Sequence, residues 1–242
     1  MYKRILLKLS GEALKGNKNY GIVDIYEIRK IVEEIKEIKK LGTEIIIVVG
    51  AGNIWRGFNG QQKFGIDRVQ ADYIGMLGTI MNSLILQDVL EKINIQTRVM
   101  TAFSVPTVAE PYIRRRALRH LDKGRVVILG AGLGSPYFST DTAAALRVIE
   151  LKADVFCMAK FGVEGVYDKD PRKFKDAVLL SKITHEQLIS KKSDIMDVTA
   201  VSLCWENNID ILVFNMSIKG NIKKSFLKEQ IGTIITSKNK DK

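Results

Sequence analysis

Residues 44–57 read EIIIVVGAGNIWRG. From Ile45 to Val49 the run is wholly β-branched and apolar, and it stops on Gly50, Ala51 and Gly52. An unbroken run of this kind marks a strand covered on both faces, as in a parallel sheet with helices above and below. Glycines at its carboxyl end let the backbone approach a ligand closely, and Arg56 follows one turn later.

Working outward, DIYEIRKIVEEIKEIKKL at 24–41 sets Ile28, Ile31, Val32, Ile35 and Ile38 at helical spacing, with Asp24 as a cap and Gly42 as a stop. Before it, RILLKL at 4–9 reads as a first strand broken by Ser10 and Gly11. Strand, helix, strand in this order is a parallel crossover unit. The pattern recurs as a helix from about Arg68 to Lys92, a strand at TRVM, a basic helix around 111–122, a strand at RVVILG, a helix from Asp141 to Leu151 and a strand at DVFCMA. After DKDP come a short polar excursion, a helix near 194–206, a strand at DILVFNM, and KSFLKEQIGTIIT running into a polar tail. These elements predict an α/β fold, a three-layer α/β/α sandwich on a mostly parallel sheet, with residues 1–242 as one domain. The character of the sequence changes near residue 160, which divides it into two lobes on one sheet.

At 242 residues the chain can bury about 70% or more of its unfolded surface, enough for one substantial core. Its formal charge of +11 would attract any polyanion. Yet the dense patches, Arg114, Arg115, Arg116 and Arg119, and Lys219, Lys223, Lys224 and Lys228, have no interleaved aromatics and read as solvated surface. Cys157 and Cys204 lie in apolar runs without CxxC partners, as expected of reduced core thiols in a cytoplasmic protein. His120 and His185 are far apart, so a structural zinc site is not expected. The opening MYKRILLKLSG is too short in apolar residues for a signal peptide, no stretch reads as long enough to cross a bilayer, and no membrane role is expected.

Three strands end in glycine breaks: KLSG at 8–11, GAG at 50–52 and GAGLGSP at 130–136. In an open α/β sheet such breaks share the rim where ligands bind, and their N–H groups cradle anions. Neither GxxxxGK[ST] nor a helix-opening GxGxxG occurs in the first unit, so a phosphoryl transferase would need lysines from elsewhere. Lys8 is placed for that, with Lys160 as a second candidate, although either could be an ordinary strand-end cation. Arg56 can grip a terminal phosphate with its fork. Asp141 begins a helix, where it either complements the dipole or orients lysines or magnesium; Asp72 is either a helix-start acid or an acceptor for a sugar or base.

In order, YKRILLKLSGEAL, GNIWRG, DYIGMLGTIMN, GLGSPYFSTD, GVYDKDP and VFNM resemble the bacterial uridylate (UMP) kinases of the amino acid kinase superfamily, from residue 2 to about 236. The resemblance implies an amino acid kinase-like fold, with an acceptor lobe over about 1–155 and an ATP lobe over about 156–242. It implies transfer of the γ-phosphoryl group of ATP, with Mg2+ accompanying it, to UMP, giving UDP for pyrimidine nucleotide synthesis. Lys8, Arg56 and Asp141 would be catalytic. ATP would meet Lys8, Leu9, Ser10, Gly11, Gly52, Arg56, Phe161, Tyr167 and Asp170. UMP would meet Ala51, Asp72 and the loop from Leu133, Gly134, Ser135 and Pro136 to Tyr137, Phe138, Ser139 and Thr140. No protein metal ligand follows from it.

Family members assemble as homohexamers, many activated by GTP and inhibited by UTP, and GNKNYG at 16–21 corresponds to a region tied to the GTP response. Ala51 replaces a common glycine, and a left-handed backbone there would cost about 1 kcal/mol or more. LGSP replaces a threonine, glycine, asparagine, proline run, and KFG at 160–162 differs from the usual lysine and asparagines. Two rivals follow from the same residues. One is an acylphosphate-forming kinase, which would leave Arg56 without an obvious phosphate. The other is a nucleic-acid-binding regulator using the 114–119 arginines, although nothing in the kinase reading requires nucleic acid.

Overall fold

The computed structural model describes residues 1–17, 20–56, 62, 64–171, 173–191 and 195–237. Gly57 of the opening stretch, Lys18 and Asn19 of GNKNYG, Ser193 and Asp194 near the start of the expected 194–206 helix, and the tail from 238 lie outside the described residues.

The chain runs β1 (Arg4–Leu9), α1 (Gly11–Lys15), α2 (Ile25–Lys40), β2 (Glu44–Val49), α3 (Arg68–Lys92), β3 (Thr97–Thr101), β4 (Glu110–Pro111), α4 (Arg114–Asp122) and β5 (Val126–Gly130). It continues through α5 (Thr140–Glu150), β6 (Val155–Lys160), β7 (Lys182–Thr184), α6 (His185–Ser190), α7 (Val198–Glu206), β8 (Ile211–Asn215), α8 (Asn221–Phe226) and β9 (Thr233–Thr236). One sheet holds all these strands in the order β4-β3-β5-β2-β1-β6-β8-β9-β7. Every neighbouring pair is parallel except β8 with β9.

Strand alternation divides the core. Ile5, Leu7 and Leu9 face one cluster with Ile28, Ile35 and Ile38 of α2 and Leu86 and Leu90 of α3. Leu6 faces the other, with Ala144, Ala145 and Val148 of α5. By the same period Lys8 is turned to the α5 side. The α2 reading holds, since Asp24 accepts from the Tyr26 N–H at 2.9 Å and Gly42 turns the chain at φ 82°.

Several expectations are corrected. The break at Gly11 opens a short helix, and the basic helix starts at Arg114 because Glu110 and Pro111 pair with β3. The polar excursion contains β7 and α6, and the following helix starts at Val198, with Asp197 accepting from Ala200 N–H at 2.8 Å. The α5 helix begins at Thr140, capped by Ser139. By length and composition α3 is long and apolar enough to cross a membrane, contrary to the sequence reading. Its apolar content is used instead against the sheet, where Leu86, Val89 and Leu90 join the core.

Candidate active site

The register aligns Leu9 with Val49 and Ala159, and Val48 with Leu129, so β1, β2, β5 and β6 end on one rim. All three glycine breaks therefore converge. Gly50 N–H donates to the Leu9 carbonyl at 3.0 Å. A Cβ on Gly11 would sit 2.6 Å from the Gly50 oxygen and 2.7 Å from the Gly52 nitrogen, so only glycine lets α1 rest on the turn.

Two buried polar residues of α3 brace these turns. Asn82 Nδ2 donates to the Gly50 carbonyl at 2.8 Å and to Asn53 Oδ1 at 2.8 Å, while Asn53 Nδ2 returns a bond to Asn82 Oδ1 at 3.0 Å. One turn earlier, Thr79 Oγ1 accepts from Ala131 N–H and donates to the Met76 carbonyl, each at 2.7 Å. The strain expected at Ala51 is absent, because that residue is not left-handed. It falls on Ala131 at φ 64° and Tyr137 at φ 71°.

At the centre lies a charge cluster. Asp141, near the start of α5, is 9% exposed, with Oδ1 2.7 Å from the Lys8 ammonium and Oδ2 3.9 Å from that of Lys160. Burial alone would raise the Asp141 carboxyl; the charges of Lys8 and then Lys160 outweigh it and hold the group below its ordinary range. Burial pulls the Lys160 ammonium down, with Asp141 opposing. Lys8 thus reaches across from β1 to a carboxylate on the helix that covers its face, and the pair stands where the rim opens.

On one side of this cluster a cavity of about 140 Å³ is lined by Ala51, Trp55, Asp72, Leu133, Phe138 and Thr140, among others. Asp72 does not cap α3, since Asp67 accepts from Val69 and Gln70 N–H. Its Oδ2 accepts from Arg68 Nε at 2.8 Å and from Tyr137 N–H at 2.9 Å, drawing the 132–139 loop toward the helix. Gly134 holds the loop's own turn, donating to the Ala131 carbonyl at 2.8 Å. Ser135, Tyr137, Phe138 and Ser139 are exposed and Pro136 is half-buried. Ser139 Oγ caps α5, accepting from Asp141 and Thr142 N–H, and donates to Asp197. Arg56, at the mouth, is half-exposed and paired with Glu12.

On the other side a cavity of about 770 Å³ is lined by Gly162, Gly165, Tyr167, Asp170, Lys191 and Asn215, among others. Tyr167 donates its hydroxyl to Glu164 at 3.0 Å, and Asp168 accepts from Val178 N–H at 2.7 Å. Phe161 does not line this cavity. It packs on the α2 side of the core and borders a separate pocket with Ala13, Ile31 and Met216. Leu9 is fully buried, leaving only its backbone to the rim, while Ser10 N–H is engaged by Ala159 O at 3.2 Å. Gly52 approaches both Glu12 and Arg56.

Sequence reasoning missed Asn82, Thr79, Glu12 and Asp197. A signal existed for the first two: amide and hydroxyl side chains on the core face of an apolar helix require partners.

The chain is similar to known proteins along nearly its whole length. It is 67% identical to a uridylate kinase of Aster yellows witches'-broom phytoplasma over 239 residues, covering 98% of each chain, and equally to one of Onion yellows phytoplasma. Its fold matches the UMP kinase of Bacillus anthracis with a TM-score of 0.93 at 42% identity, covering 98% of this chain and 96% of that one. It matches the UMP kinase of Ureaplasma parvum at 0.91 and 36% identity, covering 98% and 99%. The sequence model of the amino acid kinase family spans residues 3–215, from the first strand to the end of β8, and so takes in the rim, both cavities and the charge cluster between them. The chain belongs to the amino acid kinase family.

Proposed function

We propose that this chain is an ATP-dependent UMP kinase that forms UDP and ADP, serving pyrimidine nucleotide synthesis in the cytoplasm. The observation that carries the reading is the cluster of buried Lys8 and Asp141 with half-buried Lys160 on the rim between a small and a large cavity. UMP takes the small cavity in the lobe of residues up to about 155, and ATP takes the large one in the lobe beyond. The small cavity must widen for a nucleotide, which the exposed 135–139 loop permits.

A UMP phosphate oxygen forms the new bond to the γ-phosphorus while the bond to the β,γ-bridging oxygen breaks, leaving ADP. Negative charge spreads over the equatorial oxygens, where Lys8 and Lys160 face it. Asp141 keeps the two ammoniums in place. The acceptor phosphate is already largely ionised near neutral pH, so Asp141 is an organiser and no general base is required. Arg56 exchanges Glu12 for the UMP phosphate, Asp72 and the 133–140 loop hold the nucleoside, and Tyr167 and Asp170 face adenosine.

Among the described residues no group of three or more acidic, histidine or cysteine side chains could hold a metal. Asp141, the carboxylate of the cluster, would offer at most a single protein contact to Mg2+ carried chiefly by the phosphates, where the ion would supply further positive charge.

Self-association belongs to the same reading. Tyr73, Ile74, Leu77 and Met81 leave an exposed apolar strip on α3, suited to a second copy in a homo-oligomer such as a hexamer. GTP activation and UTP inhibition would appear as changes in initial rate when either is added.

The test is ADP release measured with UMP, CMP, carbamate, glutamate and aspartate as acceptors. Saturation by UMP is expected; saturation only by carbamate or an amino acid would overturn the proposal.

A further inference from the structure

We propose that Thr233, remote in sequence from the large cavity, is a positioning residue for the donor nucleotide. Its hydroxyl pins Val166 to Leu180, at the base of the segment whose residues 166–171 wall that cavity. The inference rests on the reading of the large cavity as the donor site.

Thr233 is fully buried at the start of β9. Val166 N–H donates to Thr233 Oγ1 at 2.8 Å, and the same hydroxyl donates to the Leu180 carbonyl at 2.5 Å. Leu180 N–H closes the loop by donating to the Val166 carbonyl at 2.8 Å. Beyond this stitch the excursion continues as a narrow ladder, with Tyr167 bridging Leu179 and Asp168 N–H donating to the Val178 carbonyl at 3.0 Å. Val166, Tyr167 and Asp168 line the cavity, so the stitch sets the separation and pitch of its wall.

The fit around the hydroxyl is close. A Cβ on Gly165 would lie 2.5 Å from Thr233 Oγ1 and 3.1 Å from Thr233 N, and one on Gly232 would lie 2.8 Å from the Glu164 carbonyl. The cavity's wall at 164–166 and the first residues of β9 are therefore in direct backbone contact. A hydroxyl is the smallest group that accepts from one strand and donates to the other at one point. Valine has the same shape and does neither, leaving the Val166 N–H without its partner in a dry environment. The excursion can satisfy that N–H only by shifting, which moves the cavity wall. None of Thr233's hydrogen bonds among the described residues reaches the small cavity, so acceptor binding should not respond.

The experiment is steady-state kinetics on the full chain with ATP and UMP varied separately. From the cost of an orphaned buried donor, Thr233→Val is expected to raise the ATP KM about tenfold, with kcat and the UMP KM within about twofold of wild type. Thr233→Ser keeps donor and acceptor and should restore the ATP KM. Should the valine variant fail to fold, Thr233→Ala, which leaves space for water, takes its place with the same selective shift expected.

Tyr167→Ala separates this inference from the reading beneath it. If Tyr167→Ala raises the ATP KM but folded Thr233→Val or Thr233→Ala does not, the stitch is overturned while the donor site stands. If neither Tyr167→Ala nor the Thr233 variants change ATP saturation, the donor-site reading fails and the inference with it. A parallel rise in ATP and UMP KM, or no recovery with serine, also overturns a specific positioning role.

Discussion

The two cavities that flank the charge cluster are built by opposite means. The small one is walled by strand ends and one long helix, and its glycine turns are braced from within by Asn82 and Thr79, one turn apart on α3. The large one is walled by the 162–171 excursion, whose shape depends on bonds from distant segments: Thr233 on Val166, Asn215 on Gly162 N–H at 3.1 Å, and Lys191 on the Asp168 carbonyl at 2.8 Å. A sheet rim fixes the reacting ends, where small displacements are costly to catalysis. On the proposed function, the excursion would hold the part of the donor that does not react. Mutations should thus separate into those that strike chemistry, those that strike the acceptor side, and those that strike the donor handle.

The largest effect is expected at the boundary between the regions. Lys8→Ala should lower kcat about 10²–10³-fold, the scale for losing one preorganised electrostatic contact, while leaving UMP saturation nearly unchanged. Steady-state kinetics in both substrates checks it; full turnover with weak UMP binding would place Lys8 on the acceptor side instead.

Next is the brace. Asn82→Ala removes the donor to Gly50 and the partner of Asn53, and should destabilise the protein by about 1–3 kcal/mol in urea unfolding. In the folded fraction the UMP KM should rise more than the ATP KM, and an equal rise in both would erase the contrast drawn here. Arg56→Lys loses the fork and should weaken UMP binding about tenfold, read as UMP KM against an unchanged kcat.

The smallest effect concerns pH and lies on the donor side. His185 sits under β9, with Nε2 3.0 Å from the Ile209 carbonyl, and burial pushes its imidazole below the ordinary 6.5. The unfolded chain therefore takes up this proton first on acidification. The stabilising contribution is complete above about pH 6.5 and is lost as pH falls toward the lower folded value. Thermal melts should show a smaller acid-side drop for His185→Gln than for wild type; parallel curves would contradict the assignment.

The contrast also governs what was legible in the sequence. The Ile45–Val49 run, the α2 stripe and the glycine breaks are local patterns, and they led correctly to a parallel sheet with three turns on one rim. Lys8, Arg56 and Asp141 were legible as residue types. That Lys8 and Asp141 form one buried ion pair was not, because it depends on β1 and α5 meeting across the sheet. The missing family glycine at Ala51 raised the question of left-handed strain there; the left-handed residue is instead Ala131, whose N–H is held by Thr79 through a bond no local pattern announces. On the donor side β7, α6 and the Thr233 stitch escaped notice. Their elements are short, and the capping box of Thr184 and Gln187 that opens α6 was a local signal left unread, whereas the stitch depends on long-range bonds. That Phe161 packs on the α2 side of the core, with the left-handed turn at Gly162, φ 68°, coming after it, was not legible from its position in the KFG stretch.

On the proposed function, two nucleotides approach the Lys8, Asp141 and Lys160 cluster from opposite cavities. The most direct measurement is a crystal structure with UMP and a non-hydrolysable ATP analogue bound together. The UMP phosphate is expected on Arg56, its nucleoside beside Asp72 and Leu133, adenosine against Tyr167, and the analogue's terminal phosphate within hydrogen-bond reach of Lys8. UMP seated in the large cavity, or a terminal phosphate out of reach of Lys8, would contradict it.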